Sequence, residues 1–204
     1  MSHVFKNNDA TPETIEAAET LSEDMADSGA LPVVDLAPFF AGDGQGGVAR
    51  ATEAVREACR THGFFCAVNH GVPPELMSRA LELSAVFFAL PDEKAKAGPA
   101  EGSKAPLPTG YARQPAHSAD KNEYVLMLDP KLGFNVYPAE PDGFREAVDE
   151  CFARLTKLGL LVQEILNECM GLPPGFLKGY NSDRGLDFMM VPHYFPATEE
   201  ESNT

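Results

Sequence analysis

The side chains of this sequence best suited to metal or acid–base chemistry are its five histidines. A lone imidazole is a weak metal site, because a protein-bound metal takes several ligands at a defined spacing. Not one of these histidines has Asp or Glu two positions later. They are His3, His62, His70, His117 and His193. The spacing therefore predicts no metal ligand and no catalytic residue in the chain.

Two of these histidines and one glutamate invite a structural interpretation as much as a chemical one. His70 precedes Gly71 in a predicted tight turn, where its ring would bond the turn backbone. His62 is expected at a helix C-terminus, where a cation interacts favourably with the helix dipole. Glu123 is predicted to be solvated or to flank a strand rather than to act in catalysis.

A glycine-rich stretch, Gly42–Gly47, raises the alternative of a nucleotide-binding loop. It lacks the Gly-Lys-Ser/Thr ending, and no strong strand leads into it. We set this alternative aside.

The charge balance is strongly acidic, with 16 Lys and Arg against 31 Asp and Glu and a net charge of −15. Such a surface repels nucleic acid and anionic membranes, so neither is expected as a partner. The sequence shows no apolar run near the ~20 residues of a membrane span and no secretory signal. Its four cysteines form no C-x-x-C pair, and three lie in apolar patterns typical of buried thiols. These features predict a cytoplasmic protein.

The first 30 residues are rich in polar and acidic side chains and poor in large apolar ones, and this composition predicts a disordered acidic leader. After it, the apolar spacing predicts strands and helices in alternation. The strands are Leu31–Leu36 at a sheet edge, Phe64–Val68 as a buried strand, Glu123–Leu128 and Leu186–Phe195; the helices run from about Val48 to His62, from Pro73 to Pro91 and from Asp142 to Met170, with a long loop at 92–122.

The long helix is the strongest local feature, because apolar residues keep a three-four spacing from Phe144 to Cys169. Gly171 and the following prolines end it. Its apolar stripe requires a partner, and the short predicted strands offer little surface for one.

Several motifs together carry a family resemblance. The first block is His62-Gly-Phe-Phe, followed two residues later by Val68-Asn-His-Gly-Val-Pro. Three shorter motifs come after it: Phe87-Phe-Ala-Leu-Pro, Gly110-Tyr111 and Tyr194-Phe-Pro. The set resembles the N-terminal region of plant-type iron(II)/2-oxoglutarate-dependent dioxygenases of the isopenicillin-N-synthase-like family. The resemblance runs from about Leu31 to Thr204.

The resemblance implies an α+β fold in which a helix and strand region and a long helix precede a double-stranded β-helix, or jelly roll. It divides the chain into the leader at 1–30, a non-haem dioxygenase N-terminal domain at 31–135, the long helix and turn at 136–182, and the first jelly-roll strand at 183–204. The rest of the jelly roll is expected to be missing. That missing part is the expected packing partner of the long helix.

The resemblance also implies iron(II) and 2-oxoglutarate as cofactors of a full-length parent. Iron would be held by a His-x-Asp pair and a distal His, and the 2-oxoglutarate carboxylate by an Arg-x-Ser. The chain contains neither signature. We therefore expect a truncated sequence that binds neither cofactor.

Three positions correspond to family ligand contacts. Tyr111 matches a loop tyrosine that lines the substrate pocket in some members, and a packing role is equally open. His193 and Phe195 lie on the strand that contacts 2-oxoglutarate, at positions where the family has Asn and Tyr. Phe195 has no hydroxyl to offer, and Val191 replaces a basic residue.

Two functions remain open at this stage. The parent is expected to oxidise a small-molecule metabolite, by hydroxylation or desaturation, while this fragment is inactive. The alternative is a non-catalytic pseudoenzyme, or an interaction remnant that binds a partner through the helix stripe.

Overall fold

The computed structural model describes residues 31–41, 45–91, 98, 102–115, 121–180, 182, 184 and 186–196. The predicted leader, His3, His117 and the first half of the Gly42–Gly47 loop, residues 42–44, lie outside these residues. Backbone contacts divide the chain into two compact units. One comprises Met1–Gly71 with Glu164–Gly175, and the other Val72–Gln163 with Phe176–Thr204.

The described elements are four helices and five strands, interspersed along the chain. The helices are α1 Gln45–Thr61, α2 Pro74–Phe88, α3 Phe144–Cys169 and α4 Phe176–Tyr180. The strands are β1 Val33–Asp35, β2 Cys66–Val68, β3 Gly110–Arg113, β4 Asn122–Leu128 and β5 Phe188–Tyr194. Two short 3-10 turns follow β1 and β4.

The first unit contains a small parallel sheet of β1 and β2, in which Val34 pairs with Ala67. The edge strand predicted at its start is confirmed, although it is shorter. The prediction of a buried strand at Phe64–Val68 is wrong, because only its last three residues pair and Phe64 is 50% exposed. An apolar run is buried on both sides only where both faces of the sheet are covered.

The second unit contains an antiparallel sheet in the order β3-β4-β5. The prediction of a loop throughout 92–122 is wrong at β3, a strand of four residues that begins with glycine and so gives little periodic signal. Pro192 lies in β5, an outer strand of the described sheet. This agrees with the edge position that proline favours.

The core of the second unit lies between one face of this sheet and the helices α2 and α3. Its most buried side chains come from all three elements: Phe87, Val125, Met127, Phe144 and Val148. Each such side chain contributes about 1.5–3 kcal/mol through burial. Because α2 and the sheet cover the first half of the helix stripe, the expectation that this stripe waits for a missing partner is wrong there.

The α+β class is confirmed, and the long helix lies within two residues of its predicted ends. The division at residues 135 and 182 remains a prediction. Among the helices that the structure describes, none combines the length and apolar character required to cross a membrane.

Candidate functional site

Three polar side chains meet on the helix-facing side of the second unit's sheet. In the register, Glu123 of β4 lies opposite Arg113 of β3 on one side and His193 of β5 on the other. Because strand side chains alternate between faces, Tyr111, two residues before Arg113, points to the same face. The sheet therefore places Tyr111, Glu123 and His193 together, and we call these three residues the carboxylate cluster.

Glu123 is the centre of the carboxylate cluster. It is only 3% exposed. Its Oε2 accepts a hydrogen bond of 2.7 Å from the Tyr111 hydroxyl. Its Oε1 lies 3.0 Å from Nδ1 of His193. The prediction that Glu123 is solvated or flanks a strand is wrong, because the residue lies inside β4 and faces the core.

His193 lies in an aromatic environment. Its ring stacks on Phe88, with centroids 5.1 Å apart and planes inclined by 25°. Phe195 approaches it edge-on at 5.5 Å. The guanidinium of Arg113 lies 4.8 Å above the Phe195 ring. The two strand positions expected to contact the cosubstrate are therefore neighbours in space, and a cation lies beside them.

Tyr111 combines a polar and an apolar contact. Its hydroxyl bonds Glu123, and its ring meets Phe87 edge-on at 5.9 Å. The packing role that the sequence left open is present. Its role in a substrate pocket remains a prediction.

The carboxylate cluster does not fit an iron site. The described residues contain no group of three or more His, Cys, Asp and Glu side chains that could hold a metal ion. His193 and Glu123 supply two such groups, and both carboxylate oxygens already lie within hydrogen-bonding distance of neighbouring donors. Phe195 cannot replace the tyrosine hydroxyl expected at 2-oxoglutarate.

A second polar group fastens the segment after β4 to α3. The side chain of Asn135 bonds both the backbone N–H and the carbonyl of Leu128, each at 2.8 Å. Tyr137 donates a short hydrogen bond to Asp149. Burial and the Asp149 carboxylate raise the pKa of Tyr137 to about 12. Arg145 lies 4.9 Å from the centroid of the Tyr137 ring. These contacts join the segment after β4 to α3, and we call the group of Asn135, Tyr137, Arg145 and Asp149 the clasp.

A groove of about 470 Å³ runs between α3 and the start of β5. Its apolar walls are broken by few polar groups, among them Asp187, which is paired with Arg184 at 2.8 Å. Its lining comprises Phe152, Leu155, Thr156, Gly159, Leu160, Gln163 and residues 186–189. None of the sequence-predicted site residues lines it.

A family model described as "non-haem dioxygenase in morphine synthesis N-terminal" matches residues 31–151. This match covers more than half of the chain and includes α1 to β4. It contains Tyr111 and Glu123 but ends before His193.

The curated relatives include gibberellin 2-beta-dioxygenase 2 of Arabidopsis thaliana. It is 32% identical over 185 residues, which cover 86% of this chain and 50% of the relative. The chain thus spans about half the length of the curated relatives it matches.

Two solved structures are similar in sequence and fold. A full-length protein of Neurospora crassa, crystallised in complex with alpha-KG, is 25% identical, with a TM-score of 0.63 over 83% of this chain and 53% of that one. JOX2 in complex with 2OG, Fe and JA is 27% identical, with a TM-score of 0.61 over 82% and 48%. Both structures hold the 2-oxo acid cosubstrate, and the second also holds iron.

Proposed function

Since the chain belongs to the non-haem iron(II)/2-oxoglutarate-dependent dioxygenase family and matches its N-terminal region, we propose that it serves as the N-terminal part of an oxygenase that oxidises a small-molecule metabolite. The reaction is a hydroxylation or a desaturation. The family match over residues 31–151 carries the proposal. The relatives, one named for gibberellin oxidation and another holding JA, support the metabolite class.

The iron ligands of this oxygenase lie outside these 204 residues. The sequence contains no His-x-Asp or His-x-Glu, and the described residues form no metal-binding group of three. A jelly roll in the same polypeptide would supply them. The chain by itself is then inactive, since it lacks the group that activates dioxygen.

The exposed side chains of β5 support a jelly-roll partner. Side chains of β5 that point away from the core are large and apolar, and they are 53%, 43% and 63% exposed at Phe188, Met190 and Tyr194. An apolar patch of this kind marks an interaction surface. In this proposal the surface packs against the remaining strands of the oxygenase, and His193 and Phe195 lie at the cosubstrate.

In the non-catalytic alternative, a separate partner binds the same β5 side chains. The first half of the helix stripe is not available to such a partner, because Phe144, Val148 and Cys151 are buried. The two functions differ in one outcome. Only the oxygenase proposal expects this chain to form an active enzyme when it is joined to a jelly-roll domain.

A chimera tests this difference. Residues 31–196 of this chain are joined to the C-terminal half of the Arabidopsis relative, and succinate is measured with iron(II) and 2-oxoglutarate. The proposal predicts iron-dependent succinate release well above that of the C-terminal half alone. A chimera that is folded by circular dichroism, yet gives no more succinate than that half, would favour the non-catalytic function.

A further inference from the structure

The buried carboxylate of Glu123 has no role in the proposed function as it stands. We propose that Glu123 is a positioning residue, whose carboxylate holds His193 through Nδ1 and leaves Nε2 as the hydrogen-bonding atom that the ring offers to a ligand. This inference rests on the proposed function only in assuming that a ligand binds beside His193.

The burial of Glu123 is the first observation behind this inference. A carboxylate that is 3% exposed is costly to keep charged unless hydrogen bonds compensate for the lost water. Compensation comes from two directions, through the hydroxyl of Tyr111 at 2.7 Å and the ring of His193 at 3.0 Å. An ionised carboxylate only accepts hydrogen bonds, so when Glu123 is ionised it is Nδ1 of His193 that carries the proton.

The surroundings of His193 fix the ring plane as well. Stacking on Phe88 and the edge contact with Phe195 restrict rotation of the ring. The side chain is still 46% exposed. Since Nδ1 faces the buried carboxylate, Nε2 is the ring nitrogen left for a ligand in this proposal. A histidine held by a carboxylate in this way has a defined tautomer and orientation.

The tautomer determines what the ring recognises. With the proton on Nδ1, the neutral ring presents a lone pair at Nε2, which accepts a hydrogen bond from a hydroxyl or an N–H group. An amide at this position, as in many family members, would instead offer both a donor and an acceptor. By holding the proton on Nδ1, Glu123 leaves the neutral ring of His193 able to accept a hydrogen bond from a ligand at Nε2 but not to donate one there.

Nuclear magnetic resonance of the histidine ring nitrogens tests this assignment in the purified 204-residue chain, without cofactor or substrate. The expected result is that the neutral ring of His193 carries its proton on Nδ1. A wild-type ring that is neutral with its proton on Nε2 overturns the proposal. So does a proton that lies on Glu123 and is donated to Nδ1.

Two variants separate positioning from packing. Glu123→Met keeps the volume of the side chain but removes both acceptor oxygens, and the ratio of Nδ1–H to Nε2–H forms should fall by about tenfold or more. Tyr111→Phe removes a neighbouring hydrogen bond and should leave the ratio unchanged. An unchanged ratio in folded Glu123→Met overturns the proposal. If that variant does not fold, the wild-type tautomer still decides. Neither result bears on whether the chimera turns over.

Discussion

At the scale of single residues, the sequence predicts the members of the carboxylate cluster unequally. Tyr111 and His193 stand in recognisable motifs. The sequence favours an exposed Glu123, because the residues that follow it are apolar on both faces of β4 and no alternation shows which face it joins. Only the register with β3 and β5 reveals that Glu123 shares a face with Val125 and the core.

The hydrogen bond from Tyr111 to a buried carboxylate should stabilise the fold measurably. Tyr111→Phe is expected to lower the free energy of unfolding by about 1.5–3 kcal/mol, because a donor to a charged group is lost. Urea denaturation measures the change. Tyr180, which is 87% exposed, supplies the control: Tyr180→Phe should change the free energy by less than about 0.5 kcal/mol. Equal effects of the two substitutions would contradict the hydrogen bond.

The clasp at Tyr137 predicts an alkaline dependence of stability. Its pKa in the folded chain is about 12, against about 10 in an unfolded chain. Folding therefore favours the protonated hydroxyl. This contribution is complete below about pH 10 and is lost as the pH rises towards 12.

The matched variant is Tyr137→Phe, which should be less stable than wild type at neutral pH. The difference between the two proteins should shrink between about pH 10 and 12 when unfolding is followed by far-ultraviolet circular dichroism. A difference that stays constant over this range would show that the hydroxyl does not carry the effect.

At the scale of elements, the sequence predicts a helix or strand more accurately when its apolar pattern repeats over more residues. The helix α3 was predicted almost to its ends, because its stripe repeats over 26 residues and Gly171 stops it. Strand β3 was missed, since four residues cannot display a period and their pairing with β4 is a tertiary contact. The same limitation applies to β2, whose apolar run implied more burial than two short strands provide.

The first turns of α3 should be essential to the second unit. Phe144 is 1% exposed and packs on Phe87 with ring centroids 5.6 Å apart. Phe144→Ala is expected to cost about 3–5 kcal/mol through lost burial and an unfilled cavity. Thermal unfolding measures this cost. Phe176→Ala, at a residue that is 51% exposed, should cost far less, and a comparable loss would contradict the assignment of the core.

At the scale of the whole molecule, the chain spans about half the length of the curated relatives it matches, and its second unit buries an apolar core. The β3-β4-β5 sheet buries one face against α2 and α3, and on the other face its strand β5 exposes Phe188, Met190 and Tyr194. The family's metal signature is absent from the sequence, and this absence could be read from histidine spacing alone. The meeting of Tyr111, Glu123 and His193 could not, because it depends on strand register.

The most direct test of the central claim is succinate release by the purified 204-residue chain with iron(II), 2-oxoglutarate and ascorbate, with the chimera assayed in parallel. We predict no stoichiometric iron binding and no succinate above a protein-free control, while the chimera releases succinate. Stoichiometric iron binding with succinate production by the chain alone would contradict the claim, because it would place a complete iron site within these residues.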